Sequence, residues 1–143
     1  SNIFLFIVFL QIFIGGIVSG LDAGLIYPTW PRMGEYFIPL DYWSPDLSIY
    51  NFFENRSNVQ FNHRIIGYLI LIMSLINLII FRNKSSLFRL SLIIFILVII
   101  QMFFGILSIL FIMPWQTALM HQFFALILFS SLCLFNHLLR YSK

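Results

Sequence analysis

Charge is what this 143-residue chain has least of. Asp, Glu, Lys and Arg together make up only 9% of it. A soluble domain carries roughly 25%, so a water-solvated globule is excluded. With 61% hydrophobic residues and a mean hydropathy of +0.98, lipid is its main solvent. There is one cysteine, Cys133, in an apolar run. That excludes an internal disulfide, leaves the redox compartment unread and reads as a small core residue. No basic region precedes the first apolar run and no Ala-x-Ala site follows it, so residues 1–21 are not read as a signal peptide. The chain begins at Ser1 inside that run, which reads as a fragment or a processed product.

What is present is four apolar stretches, at 2–21, 59–81, 87–113 and 115–139, each near the ~20 residues a helix needs to cross the hydrocarbon. The predicted fold is therefore an all-α integral membrane protein, a single four-helix domain over 1–143. Pro114 breaks the chain between the last two spans. Residues 22–58 form a long loop rich in Tyr, Trp, Phe and Pro. A loop of this length is either functional or disordered, and its aromatics suit the membrane interface. Within it, Leu47–Asn55 reads as a short interfacial helix.

All five acidic residues, Asp22, Glu35, Asp41, Asp46 and Glu54, lie in that loop. Arg82, Lys84 and Arg89 sit between the second and third spans, and Arg140 and Lys143 follow the fourth. Because Lys and Arg favour the cytoplasmic side, both ends are expected in the cytoplasm and loop 22–58 outside. The net charge of +3 then needs no nucleic-acid partner.

On this topology His63 and His121 share a depth, roughly 6–9 Å below the outer boundary. His137 lies at the other end of the fourth span. Ionisable groups at membrane depth mark functional sites. Steps of three and four from the two histidines give stripes of small or polar residues: Gly67, Ile70, Ser74 and Asn77 on the second span; Ala118, Ala125 and Leu128 on the fourth. The first span offers Gln11, Gly15, Ser19 and Asp22, and the third Gln101, Gly105 and Ser108. Such stripes face other helices and leave room for a flat cofactor. Gln-x-Phe-x-Gly occurs at Gln11–Gly15 and again at Gln101–Gly105, each one span ahead of a histidine. The chain therefore reads as two hairpins that each give one histidine to a shared site.

Each histidine has a bland reading as a helix–helix hydrogen bond, and each stripe a bland reading as packing. Arg64 would then snorkel to the headgroups. As ligands, two histidines fall short of the four zinc takes. Copper would want a thioether or thiol, and Met120 is a weak candidate. A haem iron needs two axial ligands on facing walls, so bis-histidine haem leads, with Arg64 near a propionate.

The strings "GLDAGLIYPTWPRM", "NFFEN", "VQFNHR" and "ALMHQ" together resemble the C-terminal half of the haem A synthase family, over about Gln11–Leu139. The resemblance implies one half of an eight-helix pseudo-symmetric fold. It implies oxidation of a haem O methyl group to the formyl group of haem A for cytochrome oxidase. This half would hold haem b through His63 and His121, with Arg64 and Gln60 lining the site. It also implies a bacterial plasma membrane or mitochondrial inner membrane. The expected partners are an N-terminal half or a second copy, haem O synthase and oxidase assembly factors. In the family's catalytic half a glutamate stands three residues before the first histidine; here Gln60 stands there. The loop cysteine pair of some relatives is also absent. Both fit the cofactor half, and the chain alone is expected to be inactive. The rivals are a b-type electron-transfer cytochrome subunit and a haem-free scaffold or transporter fragment.

Overall fold

In the computed structural model, residues 2–141 are described; Lys143, one of the bases assigned to the cytoplasmic end, lies outside the described residues. Four long helices, α1 (Asn2–Gly20), α3 (Arg56–Ile80), α4 (Ser85–Leu110) and α5 (Trp115–Tyr141), are each long and apolar enough to cross a membrane. The short helix α2 (Asn51–Glu54) precedes α3. Among the described residues there is no strand, only an isolated bridge between Met33 and Tyr36. The outward faces carry residues such as Phe6, Ile72, Ile76 and Leu126, all exposed. Water would not support so much exposed apolar surface, whereas hydrocarbon does.

The bundle is packed differently at its two ends. Away from the loop, Phe4, Ile94, Leu97, Leu132 and Phe135 fill the space between helices, and Phe81 meets the Phe135 ring edge-on at 5.2 Å. Asn77 donates to Ser91 across the α3–α4 pair at 3.1 Å, so this stripe position binds helices together rather than lining a site. At the loop end the facing residues are small, and the bundle opens into a cavity. Cys133, expected in the core, is exposed: it lies next to buried Leu132 but on the outward side of α5.

Two helix boundaries moved for local reasons. α3 starts at Arg56, three residues early, because Asn55 caps it by accepting from the backbone N–H groups of Ser57 and Asn58, a role Asn favours. α4 stops at Leu110, since Ile112 and Met113 both take positive φ (59° and 57°) before Pro114. That conformation is rare for a β-branched residue. It turns Met113 onto Gly24, where a Cβ would lie 2.8 Å from the methionine sulfur. In place of the predicted interfacial helix at Leu47–Asn55 stand a 3-10 segment, Pro45–Tyr50, itself kinked at Ser48 (φ 46°), and the short α2.

The long loop is ordered and fastened to the start of α3. Asn51 and Asn58 are fully buried and hydrogen-bond the backbone of Ser44, Ser48 and Tyr42. Asp41 accepts from the Tyr27 and Ser57 hydroxyls. Partial desolvation alone would raise the Asp41 carboxyl, but the bonds from Ser57, Tyr27 and its own backbone N–H outweigh it and hold it below the usual value. The same bond to Asp41, with burial, pushes the Tyr27 hydroxyl up. A lowered carboxyl value means that the stabilisation is complete above the unfolded value and lost as pH falls through the folded one. Backbone hydrogen exchange across 27–42, corrected for intrinsic rate, is expected to accelerate only as Asp41 protonates in acid. Asp41→Asn should show several-fold faster exchange already at pH 7; unchanged exchange would contradict this anchoring role.

Candidate functional site

The cavity at the loop end has a volume of about 460 Å³, within the roughly 300–1,000 Å³ of small-molecule and cofactor sites. The predicted stripes meet here. Gln11, Gly15 and Ser19 come from α1, Gly67 from α3, Gln101, Gly105 and Ser108 from α4, and Ala118 and Ala125 from α5. Asp22, Ser74 and Asn77 do not line it; they fall beyond the ends of the opening.

His63 and His121 face one another with ring centroids 6.3 Å apart and planes inclined by 67°. His63 is held from α1 and His121 from α4. Gln11 Nε2 donates to the His63 carbonyl at 2.9 Å, and Gln101 Nε2 to the His121 carbonyl at 2.8 Å. A Cβ at Gly15 would stand 3.2 Å from His63 Cε1, and one at Gly105 3.1 Å from His121 Cε1. Glycine is thus needed at both places for the rings to lie so close to the neighbouring helix. The Gln-x-Phe-x-Gly echo therefore has a physical content: within each hairpin, glutamine grips the backbone and glycine admits the ring. His137 lies sixteen residues past His121, about 24 Å along the helix, and contacts the Tyr141 ring instead.

Arg64 neither snorkels outward nor lies free. Its Nη1 donates to the carbonyls of Thr29 (2.9 Å) and Arg32 (3.2 Å), and Nη2 to that of Tyr27 (3.0 Å). The planar guanidinium suits this multiple grip. Its Nε is buried without a protein partner. One turn earlier Gln60, also buried, donates to the carbonyls of Gly24 (3.4 Å) and Tyr27 (3.2 Å) and leaves Oε1 without a partner. Trp30 closes the same edge by donating to the Tyr68 hydroxyl at 3.0 Å. Sequence reasoning missed Trp30, Tyr68 and Met113 as cavity residues. Nothing in their local pattern signals it, since the loop's path over α3 brings them together.

Chemically, the site offers two imidazoles aimed across a gap, and unpartnered polar atoms on Gln11, Gln60, His63 and Arg64 around it. Buried polar atoms in folded proteins nearly always find partners, so this concentration in one cavity makes it the candidate ligand site. Among the described residues no three His, Cys, Asp or Glu side chains gather to hold a metal ion. A metal here would have two protein ligands and take its other bonds from elsewhere.

Residues 1–133 match the family model described as "Cytochrome oxidase assembly protein". The chain is 39% identical over 138 residues to a haem A synthase of a Wolbachia from Brugia malayi, covering 96% of this chain and 40% of that protein. It is 36% identical to the haem A synthase of Paracoccus denitrificans (93% of this chain, 35% of that protein). It is 41% identical to that of Mesorhizobium japonicum (82% and 33%). The chain thus spans two-fifths or less of the length of these relatives. No solved structure matches it.

The loop's dependence on Arg64 is open to direct measurement. A lysine ammonium is a single nitrogen and does not reproduce a fork whose two terminal nitrogens reach three carbonyls. Losing such charge-assisted bonds is expected to cost about 2 kcal/mol of local stability. Arg64→Lys should show this as faster hydrogen exchange at 27–32 and a lower thermal midpoint in detergent. Protection equal to the parent's would contradict the assignment.

Proposed function

The chain belongs to the haem A synthase family of cytochrome oxidase assembly proteins, and on that premise we propose that it is a haem b-binding four-helix unit of such an enzyme. In the complete protein it would serve the oxidation of a haem O methyl group to the formyl group of haem A. The observation that carries the reading is the 6.3 Å between imidazole centroids. Metal–imidazole bonds of about 2.0 Å on either side of one ion leave ring centroids roughly 6 Å apart. The glycines beside both rings and the small residues between helices leave space for a flat macrocycle around that axis. When bound, such a haem supplies one-electron redox chemistry.

The chain's own residues then have separable tasks. His63 and His121 ligate. Gln11 and Gln101 fix the height of each ligand along its helix. The free Nε edge of Arg64 offers a propionate a charge-assisted bond, while the rest of the guanidinium holds the loop. Gln60 tethers Gly24 and Tyr27 and presents an amide oxygen to the cavity. An amide exchanges no proton near neutral pH, so Gln60 cannot serve as an acid or base. That favours an electron-transferring rather than an oxidising role for this unit. The charge asymmetry supports an outer-side position for the loop end.

Replacing His63 or His121 with Ala should abolish the low-spin haem spectrum, while His137→Ala should retain it. A six-coordinate low-spin spectrum in either of the first two would overturn the ligand assignment. Expressed in a host that makes haem O but lacks haem A synthase, residues 1–143 should bind haem and yield no haem A on extraction. Haem A above background would show that Gln60 suffices where a carboxylate was thought necessary.

A further inference from the structure

The two half-sites are alike at the backbone and unlike at the ring. His121 Nδ1 donates to the backbone carbonyl of Gln101 at 3.0 Å. An oxygen acceptor requires that nitrogen to carry the proton, which leaves Nε2 bare and the ring fixed in orientation. A carbonyl behind a ligating imidazole also strengthens it as a ligand. His63 has no such support. Its Nδ1 is buried with no hydrogen-bond partner, and its Nε2 accepts only from the Gln11 amide, at 3.3 Å. That amide nitrogen already holds the His63 carbonyl at 2.9 Å.

From this difference we propose that His121 is the fixed axial ligand and His63 the displaceable one, with Gln11 the positioning residue that sets how readily His63 leaves. The proposal rests on the bis-histidine haem reading above. The acceptor behind His121 is main chain, so no side-chain change on α4 removes it. On the His63 side, among the described residues, the restraint is a side chain, Gln11. A metal at Nε2 would take the lone pair that accepts from Gln11, so with haem bound the Gln11 restraint is its bond to the His63 carbonyl. Losing it leaves His63 without an anchor, whereas losing the Gln101 side chain frees a carbonyl and leaves the His121 ring anchored. In an exchange with carbon monoxide on the reduced haem, the His63 nitrogen withdraws its lone pair from iron. The carbon of the incoming molecule donates one in its place, with no net electron transfer.

The test uses the full chain loaded with haem b and reduced with dithionite, with carbon monoxide as the probe. Gln11→Leu should speed formation of the carbon monoxide adduct at least fivefold over the parent, and Gln101→Leu should stay within twofold. In parallel, His63→Gly should keep its haem as a five-coordinate high-spin species and regain the low-spin spectrum on addition of imidazole. His121→Gly should retain less than half as much haem. The inference is overturned if Gln101→Leu accelerates exchange as much as Gln11→Leu, or if His121→Gly holds haem as well as His63→Gly does. A parent protein with no low-spin haem would instead bring down the underlying reading, and this inference with it.

Discussion

A glutamine side chain reaching across a helix pair to the carbonyl of a histidine is the contact on which the upper half of this bundle depends. It is made twice, by Gln11 to His63 and by Gln101 to His121. In hydrocarbon a primary amide has no water to turn to, and leaving it unpaired is costly. The carbonyl it meets already serves its own helix and accepts a second bond with its remaining lone pair. The pairing sets the vertical offset of α1 against α3 and of α4 against α5. With the offset fixed, Gly15 and Gly105 fall beside the imidazoles, and the rings can lie back against the neighbouring helices. A shift of one residue toward the N-terminus would put Ile14 or Phe104 there and close the gap.

The cavity exists because the opposite end does not yield. Helix association in lipid gains little from burying apolar surface and relies on close packing. Phe4, Ile94, Leu132 and Phe135 supply that packing in one half, and the Asn77–Ser91 bond adds a polar link. Against this rigid plug, the small residues of the other half cannot collapse onto one another. The loop completes the site from the side. Arg64 and Gln60 stand on α3 within a turn of His63, and both spend donors on the carbonyls of the Gly24–Arg32 segment. One turn of helix therefore both carries a candidate ligand and holds the cover.

The four spans, their short turns, the shared depth of His63 and His121 and the faces carrying Gly67, Gly105 and Ala125 were all legible in the sequence. Length in hydrocarbon and helical period fix them one span at a time. The Asn55 cap was not read, since the expected interfacial helix ends at Asn55, although the capping rule is as local as any of these. The exposure of Cys133 was not legible, because an apolar run looks the same whether it faces lipid or protein. Nor was the task of Arg64. A guanidinium near a membrane boundary has several ways to satisfy its donors, and only the course of the loop decides among them.

By itself the sequence determined how many helices there are, which end carries the acidic loop, and which side chains stand on one stripe. These follow from composition and from a periodicity that operates within a few residues. The tertiary structure alone decided that the two stripes of each hairpin interlock as glutamine on carbonyl and glycine on ring. It also decided that one imidazole rests on a main-chain carbonyl while the other does not. Those facts join residues 20 and 52 positions apart. Offsets of a fraction of an ångström between packed helices settle them, and no local pattern encodes such offsets.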